Sequence, residues 1–359
     1  MRMGYKQFAK ELVDKVVKIA KTENKMSGFC IGNTAKIDHN GLYFTPIRNM
    51  GIMIVAGVIV YSERQAMEIT KIVDGKINYL LVDSEKKIPT KMSRSGRAAN
   101  IERAIREVIK KSTLWTYKGN SLVVDAVDSL LTHLTKDSLR GIGGKKVVIF
   151  GAGNIGSKLA LSLVERGACV FVARRDQEKL KIIVKALNFI RPLYTTSCIT
   201  EIKDNEKAVQ RADILIGVTN GVPVITSRMI RQLVPGALVV EIGKGSIHTA
   251  AIKTAEKLGI AIYRLDISAA LEGAISKLFA LETILKYRLG RKVCCGVPIV
   301  SGGLLGKKGE IVVDNINNPK EVYGMANGKG DFLKMPVKKY NKILKVVREC
   351  KEKDEFGTG

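Results

Sequence analysis

At residues 145–156, KKVVIFGAGNIG, an apolar run leads straight into Gly151, Gly153 and Gly156 in GxGxxG spacing, with a helix-forming segment behind them. This arrangement suits the grip of a dinucleotide pyrophosphate. Gly151 permits the tight turn, Gly153 lets the backbone approach the phosphates, and Gly156 allows close helix–strand packing. Backbone N–H groups around Ala152, Asn154 and Ile155, together with the helix dipole, then face the anion. The competing explanation is a plain structural glycine turn, and the strand-then-helix context weighs against it.

Ala173-Arg174-Arg175-Asp176 ends the next apolar run. Arg174 stands about 20 residues beyond the loop, where an acidic residue would bond a ribose 2′-OH. Two guanidinium groups there favour a 2′-phosphate through bidentate, charge-assisted bonds. The expected cofactor is therefore NADP, with NAD the other possibility. Asp176 reads more simply as the N-cap of the helix that follows. Two later strand ends, 217–221 and 241–246, fall where a nicotinamide would sit, and Val218, Thr219, Asn220, Ile242 and Gly243 join the cofactor set.

These loops need strands alternating with helices to hold them. The first 25 residues place Tyr5, Phe8, Leu12, Val16 and Ile19 at helical spacing. Strands are expected at 52–61 and 79–83, and helices at 63–73, 98–111 (after the polar stretch 90–96) and 122–134, the last leading to a hinge at Gly141, Gly143 and Gly144. Beyond the hinge, strands at 146–150, 169–173, 214–218, 238–242 and 260–263 alternate with helices at 155–166, 178–187, 227–233 and 249–258. A long helix, 271–289, is expected to pack back on the first domain. Residues 294–330 are rich in Gly, Asn and Pro, with one strand expected at 311–313, and Pro336 opens a final helix. The expected fold is α/β in two domains: a C-terminal Rossmann domain, that is a doubly wound parallel sheet, and a smaller N-terminal α/β domain. The expected limits are 1–120 for the substrate half, 121–290 for the dinucleotide half and 291–359 for the extension.

Composition narrows the class further. The 359 residues carry 60 Lys+Arg against 34 Asp+Glu, a formal net charge of +26, and 46% hydrophobic residues. That hydrophobic share supplies a core, so wholesale disorder is excluded. The basic surplus is dispersed, no run of five basic residues occurs, and the aromatics are too sparse for a stacking platform, so nucleic-acid binding is not expected. Cys30, Cys169, Cys198, Cys294, Cys295 and Cys350 form no CxxC pair and read as reduced thiols. They and the three His lack metal spacing, so no metal is expected. The longest apolar run, 52–61, is far short of the roughly 20 residues that span a bilayer, and no signal peptide is read at the start. The expectation is a cytoplasmic homo-oligomer without a membrane partner.

Residues 145–173, 212–221 (ADILIGVTNG), 224–225 and 235–243 (PGALVVEIG) together resemble the cofactor domain of amino-acid-dehydrogenase-like proteins. These include shikimate dehydrogenases, methylene-tetrahydrofolate and methylene-tetrahydromethanopterin dehydrogenases, glutamyl-tRNA reductases and the S-adenosylhomocysteine hydrolase type. The resemblance spans roughly 115–289 and singles out no member. It implies an N-terminal catalytic domain, a cleft between the domains, and hydride transfer at C4 of the nicotinamide. Arg174 and Arg175 match the basic position of the NADP-using shikimate dehydrogenase branch. Three departures stand out. Residues 118–125 read KGNSLVVD where shikimate dehydrogenases carry Asn-Thr-Asp-Gly. The Ser-x-Ser-Pro motif that holds the shikimate carboxylate is absent, with only faint echoes of its flanks at Gly32-Asn33 and His39-Asn40. The hydrolase family's His-Phe-Asp gives way to Gly243-Lys244-Gly245.

Hydride transfer needs a proton donor or acceptor beside the reacting carbon. Three groups are candidates. Residues 83–87 (DSEKK) follow a strand and include Lys86; a solvated charged loop is the alternative. Lys118, with Asn120 and Asp125, lies where the resembled families place acid–base groups, and a Lys118–Asp125 pair would tune the lysine as in those relatives. Cys30 would serve as a thioester nucleophile if the likeness to glutamyl-tRNA reductases extended to it, but its apolar neighbours favour a buried strand cysteine. The catalytic assignment is Lys118, Asp125 and Lys86. The expected activity is an NADP-dependent oxidoreductase acting on a C=O or C=N carbon of a small anionic substrate. The alternatives are a non-catalytic dinucleotide sensor, and a hydrolase or lyase that uses tightly bound NAD transiently.

Overall fold

The computed structural model describes residues 4–34, 42–88, 98–334 and 336–355. The polar stretch 90–96 and the pair His39-Asn40 lie outside the described residues. The chain divides into two compact units, Met1–Ala274 and Ile275–Gly359.

The first unit opens with α1 (Tyr5–Thr22), whose Ala9, Leu12, Val13, Val16 and Ala20 are buried at helical spacing. Then come β1 (Met26–Asn33), β2 (Tyr43–Phe44), β3 (Arg48–Met50), β4 (Met53–Val60), α2 (Glu63–Val73), β5 (Tyr79–Asp83), α3 (Ile101–Arg106), β6 (Thr113–Tyr117) and α4 (Gly119–Leu134). The sheet order is β2-β4-β1-β5-β6, with β3 also on β4. Strands β4, β1, β5 and β6 are parallel, and β2 and β3 are antiparallel to β4. All four parallel strands therefore end at one edge of the sheet. The nearly continuous apolar run of β4 reflects burial on both faces.

One expectation fails here. The helix foreseen over 98–111 stops at Arg106, and β6 follows. The cause is Asp74, whose carboxylate accepts from the backbone N–H groups of Lys110, Lys111 and Ser112 at 2.8, 3.0 and 2.8 Å. Those bonds turn the chain out of the helix and into β6, where Thr, Trp and Tyr suit a strand.

The remainder of this unit alternates regularly: β7 (Lys146–Phe150), α5 (Asn154–Glu165), β8 (Cys169–Ala173), α6 (Gln177–Ile190), β9 (Ile199–Glu201), α7 (Asn205–Val209), β10 (Ile214–Gly217), α8 (Ser227–Ile230), β11 (Leu238–Glu241), α9 (Thr249–Lys257) and β12 (Ala261–Arg264), before α10 (Ser268–Tyr287), which begins in this unit and continues past its boundary at Ala274. The order β12-β11-β10-β7-β8-β9, parallel throughout, is the doubly wound sheet the alternation implies. Only β9 and α7 had no counterpart in the sequence reading. Val147 and Ile149 face one core with Leu159 and Leu163, while Val148 and Phe150 face another with Met229 and Ile230. Strand order reverses between β7 and β10, so their C-terminal ends frame the crevice where ligands bind in such sheets. In the first turns of α10, Glu272 Oε1 lies 2.8 Å from where a Cβ on Gly51 would be, so this end of the helix meets the β3–β4 turn.

The second unit corrects the reading of 294–330 as a loop segment with one strand. It holds β13 (Arg291–Cys294), β14 (Val297–Ser301), β15 (Ile311–Val313), β16 (Val322–Ala326), β17 (Phe332–Leu333) and α11 (Val337–Glu355), with the strands in that order across one sheet. Strands this short give little periodicity, and the glycines at their turns, Gly296, Gly309, Gly328 and Gly330, all with positive φ, hide them. Tyr340, Ile343, Leu344 and Val347 of α11 pack on Ile299, Ile311 and Val313. Cys295 is disulfide-bonded, so the expectation of six reduced thiols fails at this residue. Sequence spacing does not report which cysteines meet in space.

The turn after β7 sets a stability test. Gly151 has φ +119°, and a Cβ there would lie 2.1 Å from Val218 O. Gly151→Ala should cost at least about 2 kcal/mol of unfolding free energy, read from urea denaturation. Gly153→Ala, with no heavy atom within 4 Å of the new Cβ, should leave the midpoint unchanged.

Candidate dinucleotide site and adjoining cleft

Gly151 and Ala152 both donate their N–H groups to Ala173 O, at 3.0 and 2.9 Å, which ties the turn after β7 to the end of β8. Gly156 packs so closely that a Cβ on it would stand 2.1 Å from Gly151 O. The helix α5 then starts with no side-chain cap and no acidic residue in its first turn. Its N-terminal N–H groups and dipole are left to an anion, and the space over Gly153 gives that anion room.

A cavity of about 870 Å³ opens beside this turn. Gly151, Ala152 and Gly153 line it together with Arg174, Arg175 and Asp176 after β8, and Val218, Thr219 and Asn220 after β10. Arg174 is half-buried. Its Nη1 donates to Ala152 O at 2.7 Å, while its Nε is buried without a hydrogen-bond partner. An unspent donor against a glycine loop fits a phosphate-bearing ligand. Asp176 is the N-cap of α6, accepting from Lys179 N at 3.0 Å. That backbone bond and the Lys179 and Arg174 charges hold its carboxyl below the ordinary range. The other loop residues serve the framework: Asn154 Oδ1 accepts from Asn120 Nδ2 at 3.0 Å, and Ile155 packs against the core beneath β7.

Across the crevice, the two turns singled out in sequence lean on each other. A Cβ on Gly245 would stand 3.1 Å from Gly221 O, and Val224 N donates to Ser246 O at 2.9 Å. Asn220 and Gly221 both have positive φ, as does Gly243. The second turn is clamped by Glu241, a residue absent from the sequence-based set. Its carboxylate accepts from Gly245 N, Ser246 N and Arg264 Nη2 at 3.0, 3.1 and 2.7 Å. Burial alone would push this carboxyl up, but Arg264 and the two N–H groups hold it below the usual range. Ile242 continues β11, its N–H bonded to Gly217 O at 2.9 Å.

The second part of the site lies at the strand-end edge of the N-terminal sheet. Asp83, the last residue of β5 and 3% exposed, pairs with Lys87 Nζ at 2.6 Å, and Lys87 also reaches Glu85 at 3.1 Å. Asp83 Oδ1 accepts from Gly119 N at 3.1 Å, and Glu85 Oε2 from Asn120 N at 2.7 Å. The two carboxylates therefore cap α4, whose own N-cap residue, Lys118, makes no side-chain cap. Asn33, at the end of β1, donates to Asp83 O and accepts from Lys87 N, at 3.1 and 3.2 Å. Two contacts join this cluster to the dinucleotide helix: Asn120–Asn154, and Lys158 Nζ–Glu85 at 3.5 Å.

The sequence-based catalytic set is redistributed accordingly. Lys118 and Asp125 are both exposed and form no ion pair with each other among the described residues. Seven residues apart at the start of α4, they are two helical turns from one another, and the carboxylates that serve this helix end come from the β5 segment instead. Lys86 is exposed, while its neighbour Lys87 turns inward. Burial pushes the Cys30 thiol up to about 12, with Arg48 pulling only weakly the other way, which leaves it a protonated strand cysteine rather than a nucleophile.

A Rossmann sheet with an open glycine loop and an arginine-lined cavity at the end of its second strand defines a dinucleotide-binding protein. Residues 133–254 match the family model described as Shikimate / quinate 5-dehydrogenase, which supports an NAD(P)-dependent dehydrogenase. No curated protein matches the chain. Among solved structures, it is similar to L-tryptophan dehydrogenase from Nostoc punctiforme, at 14% identity over 70% of this chain and 72% of that one, TM-score 0.40. Dipicolinate synthase from Bacillus subtilis is similar at 13% identity over 73% and 98%, TM-score 0.35. Ornithine transcarbamoylase from Giardia lamblia is similar at 10% identity over 77% and 95%, TM-score 0.43. At TM-scores this low the likenesses say nothing of activity.

The Glu85 contacts predict a pH dependence. Burial would raise this carboxyl, but Asn120 N–H, Lys87 and Lys158 together hold it below the ordinary value. A depressed folded-state pKa contributes stability that is present above the unfolded value, about 4.3, and is lost as pH falls through the folded one. Urea denaturation at about pH 6 and about pH 3 should show a smaller loss for Glu85→Gln than for the wild type.

Proposed function

We propose that the chain is an NADP-dependent oxidoreductase that moves hydride between the nicotinamide and a C=O or C=N carbon of a small anionic metabolite. The observation that carries the cofactor choice is the cavity end beyond β8: Arg174 and Arg175 line it, and the adjoining Asp176 gives Oδ1 to the cap of α6. A 2′-phosphate finds two guanidinium groups there, and the position where an acidic residue would bond a ribose 2′-OH is taken by Arg174. When bound, the nicotinamide supplies or accepts the hydride.

The chain's own residues manage the rest. Lys87, held by Asp83 and Glu85, places its ammonium at the strand-end edge of the N-terminal sheet, which is linked to the glycine helix through Asn120–Asn154. In this reading Lys87 Nζ gives or takes the proton at the reacting heteroatom, and Asp83 holds it in place. The acid–base role assigned to Lys86 in the sequence thus passes to Lys87. Lys118, exposed at the start of α4, is left to attract an anionic substrate. No helix among the described residues is long and apolar enough to cross a membrane, and a cytoplasmic homo-oligomer belongs to the same reading.

Two measurements bear on it. Fluorescence titration should show NADPH bound more tightly than NADH, with Arg174→Ala weakening NADPH by about tenfold or more, the scale of a charge-assisted bond. Equal affinities, or an unaffected variant, would sink the 2′-phosphate assignment. Shikimate and quinate, whose names the matching family bears, are the first substrates to try in NADP+ reduction. Lys87→Met should lower kcat by roughly 10²–10⁴ with NADPH affinity retained, and a full rate in that variant would remove Lys87 from the chemistry.

A further inference from the structure

We propose that Lys203, just past the end of β9, completes the 2′-phosphate site with Arg175 and makes the chain selective for NADP; this rests on the dinucleotide reading above. Sheet register places it. β9 is the parallel neighbour of β8, with Val172 opposite Glu201, and Ile202 N donates to Val172 O at 2.9 Å. Two residues further along each strand the same register brings Arg174 level with Lys203, and both line the one cavity.

Charge accounting within that cavity singles out which groups are free. Its three acids are engaged: Asp176 caps α6, Asp204 accepts from Glu206 N and Lys207 N at 2.9 and 3.1 Å, and Glu206 pairs with Arg228 at 3.0 Å. Of its three cations, Arg174 is braced against Ala152 O. Arg175 and Lys203 are exposed and make no ion pair or side-chain hydrogen bond among the described residues. Two unspent cations on adjacent strand ends suit a phosphomonoester of charge about −1.5 to −2, and they offer a bare ribose hydroxyl no acceptor. Arg174 then braces the glycine turn through Nη1 and keeps its buried Nε for the ligand, while Arg175 and Lys203 hold the phosphate with exposed cations.

The test is calorimetric titration of the full chain with adenosine 2′,5′-bisphosphate and with adenosine 5′-monophosphate, which differ only in the 2′-phosphate. Wild type should prefer the bisphosphate, and Lys203→Gln should weaken it by about tenfold while changing the monophosphate by less than about twofold. Arg175→Gln should behave alike, and the wild-type preference should shrink as salt rises. A wild type without preference overturns the 2′-phosphate reading as a whole. A preference that survives intact in Lys203→Gln overturns the role of Lys203 alone.

Discussion

Three backbone segments meet around Gly151 with no room for a side chain between them, and the first unit is organised by that contact. Gly156 brings α5 onto Gly151 O, and Gly151 itself lies against Val218 of the strand end beyond β10. The first approach fixes the helix to the sheet end-on, so its uncapped N–H groups open toward the crevice rather than into the core. The second sets the spacing between the strands on either side of the switch point. With both fixed, the end of β8 is delivered beside the loop by the paired bonds of Gly151 and Ala152 to Ala173 O. The arginines that follow therefore occupy the cavity by construction.

The same geometry reaches the N-terminal sheet through α4. This helix packs along α5, with Arg166 bonded to Asp128 at 2.7 Å, and its start is capped by Asp83 and Glu85 from the β5 edge. The carboxylates that stabilise a helix end are thus also the ones that hold Lys87. Structure and chemistry share the same groups, so any change at Asp83 acts on both. Asn154, within the glycine motif, accepts from Asn120 at that helix start, which gives the dinucleotide loop a direct mechanical link to the substrate edge.

Much of this could be read from the sequence where burial on both faces imposes long apolar runs. β7 and β8 fall at their expected bounds, and α2 and β5 do as well, because parallel strands and amphipathic helices leave strong periodic signals. What escaped reading depended on single side chains acting across the fold. Asp74 ends α3 and makes room for β6 by capturing three N–H groups that the local sequence would have left helical. The choice between Lys86 and Lys87 is made by Asn33, some fifty residues away, which fixes the turn through Lys87 N. Nothing in the local sequence distinguishes two adjacent lysines. Glu241 was equally hidden, since its role comes from Arg264 and the turn folded over it.

These cases share a cause that also explains the charge. With 34 acidic residues against 60 basic ones, carboxylates are the scarce group in this chain. Asp74, Asp83, Glu85, Asp176, Asp204 and Glu241 each accept from backbone N–H groups at a turn or helix start. Such bonds satisfy donors that would otherwise be stranded at element ends. Because strand ends of a parallel sheet are also where ligands bind, the acids nearest the site are consumed by the fold before any ligand arrives. The cations beside them can only donate, so they cap no N–H group; Arg174 bonds a carbonyl, Ala152 O, while Arg175 and Lys203 make no ion pair or side-chain hydrogen bond among the described residues. What the backbone takes from these acids is acceptor capacity rather than charge: each capping carboxylate stays negative, and the donors that remain unspent beside it belong to the arginines and lysines.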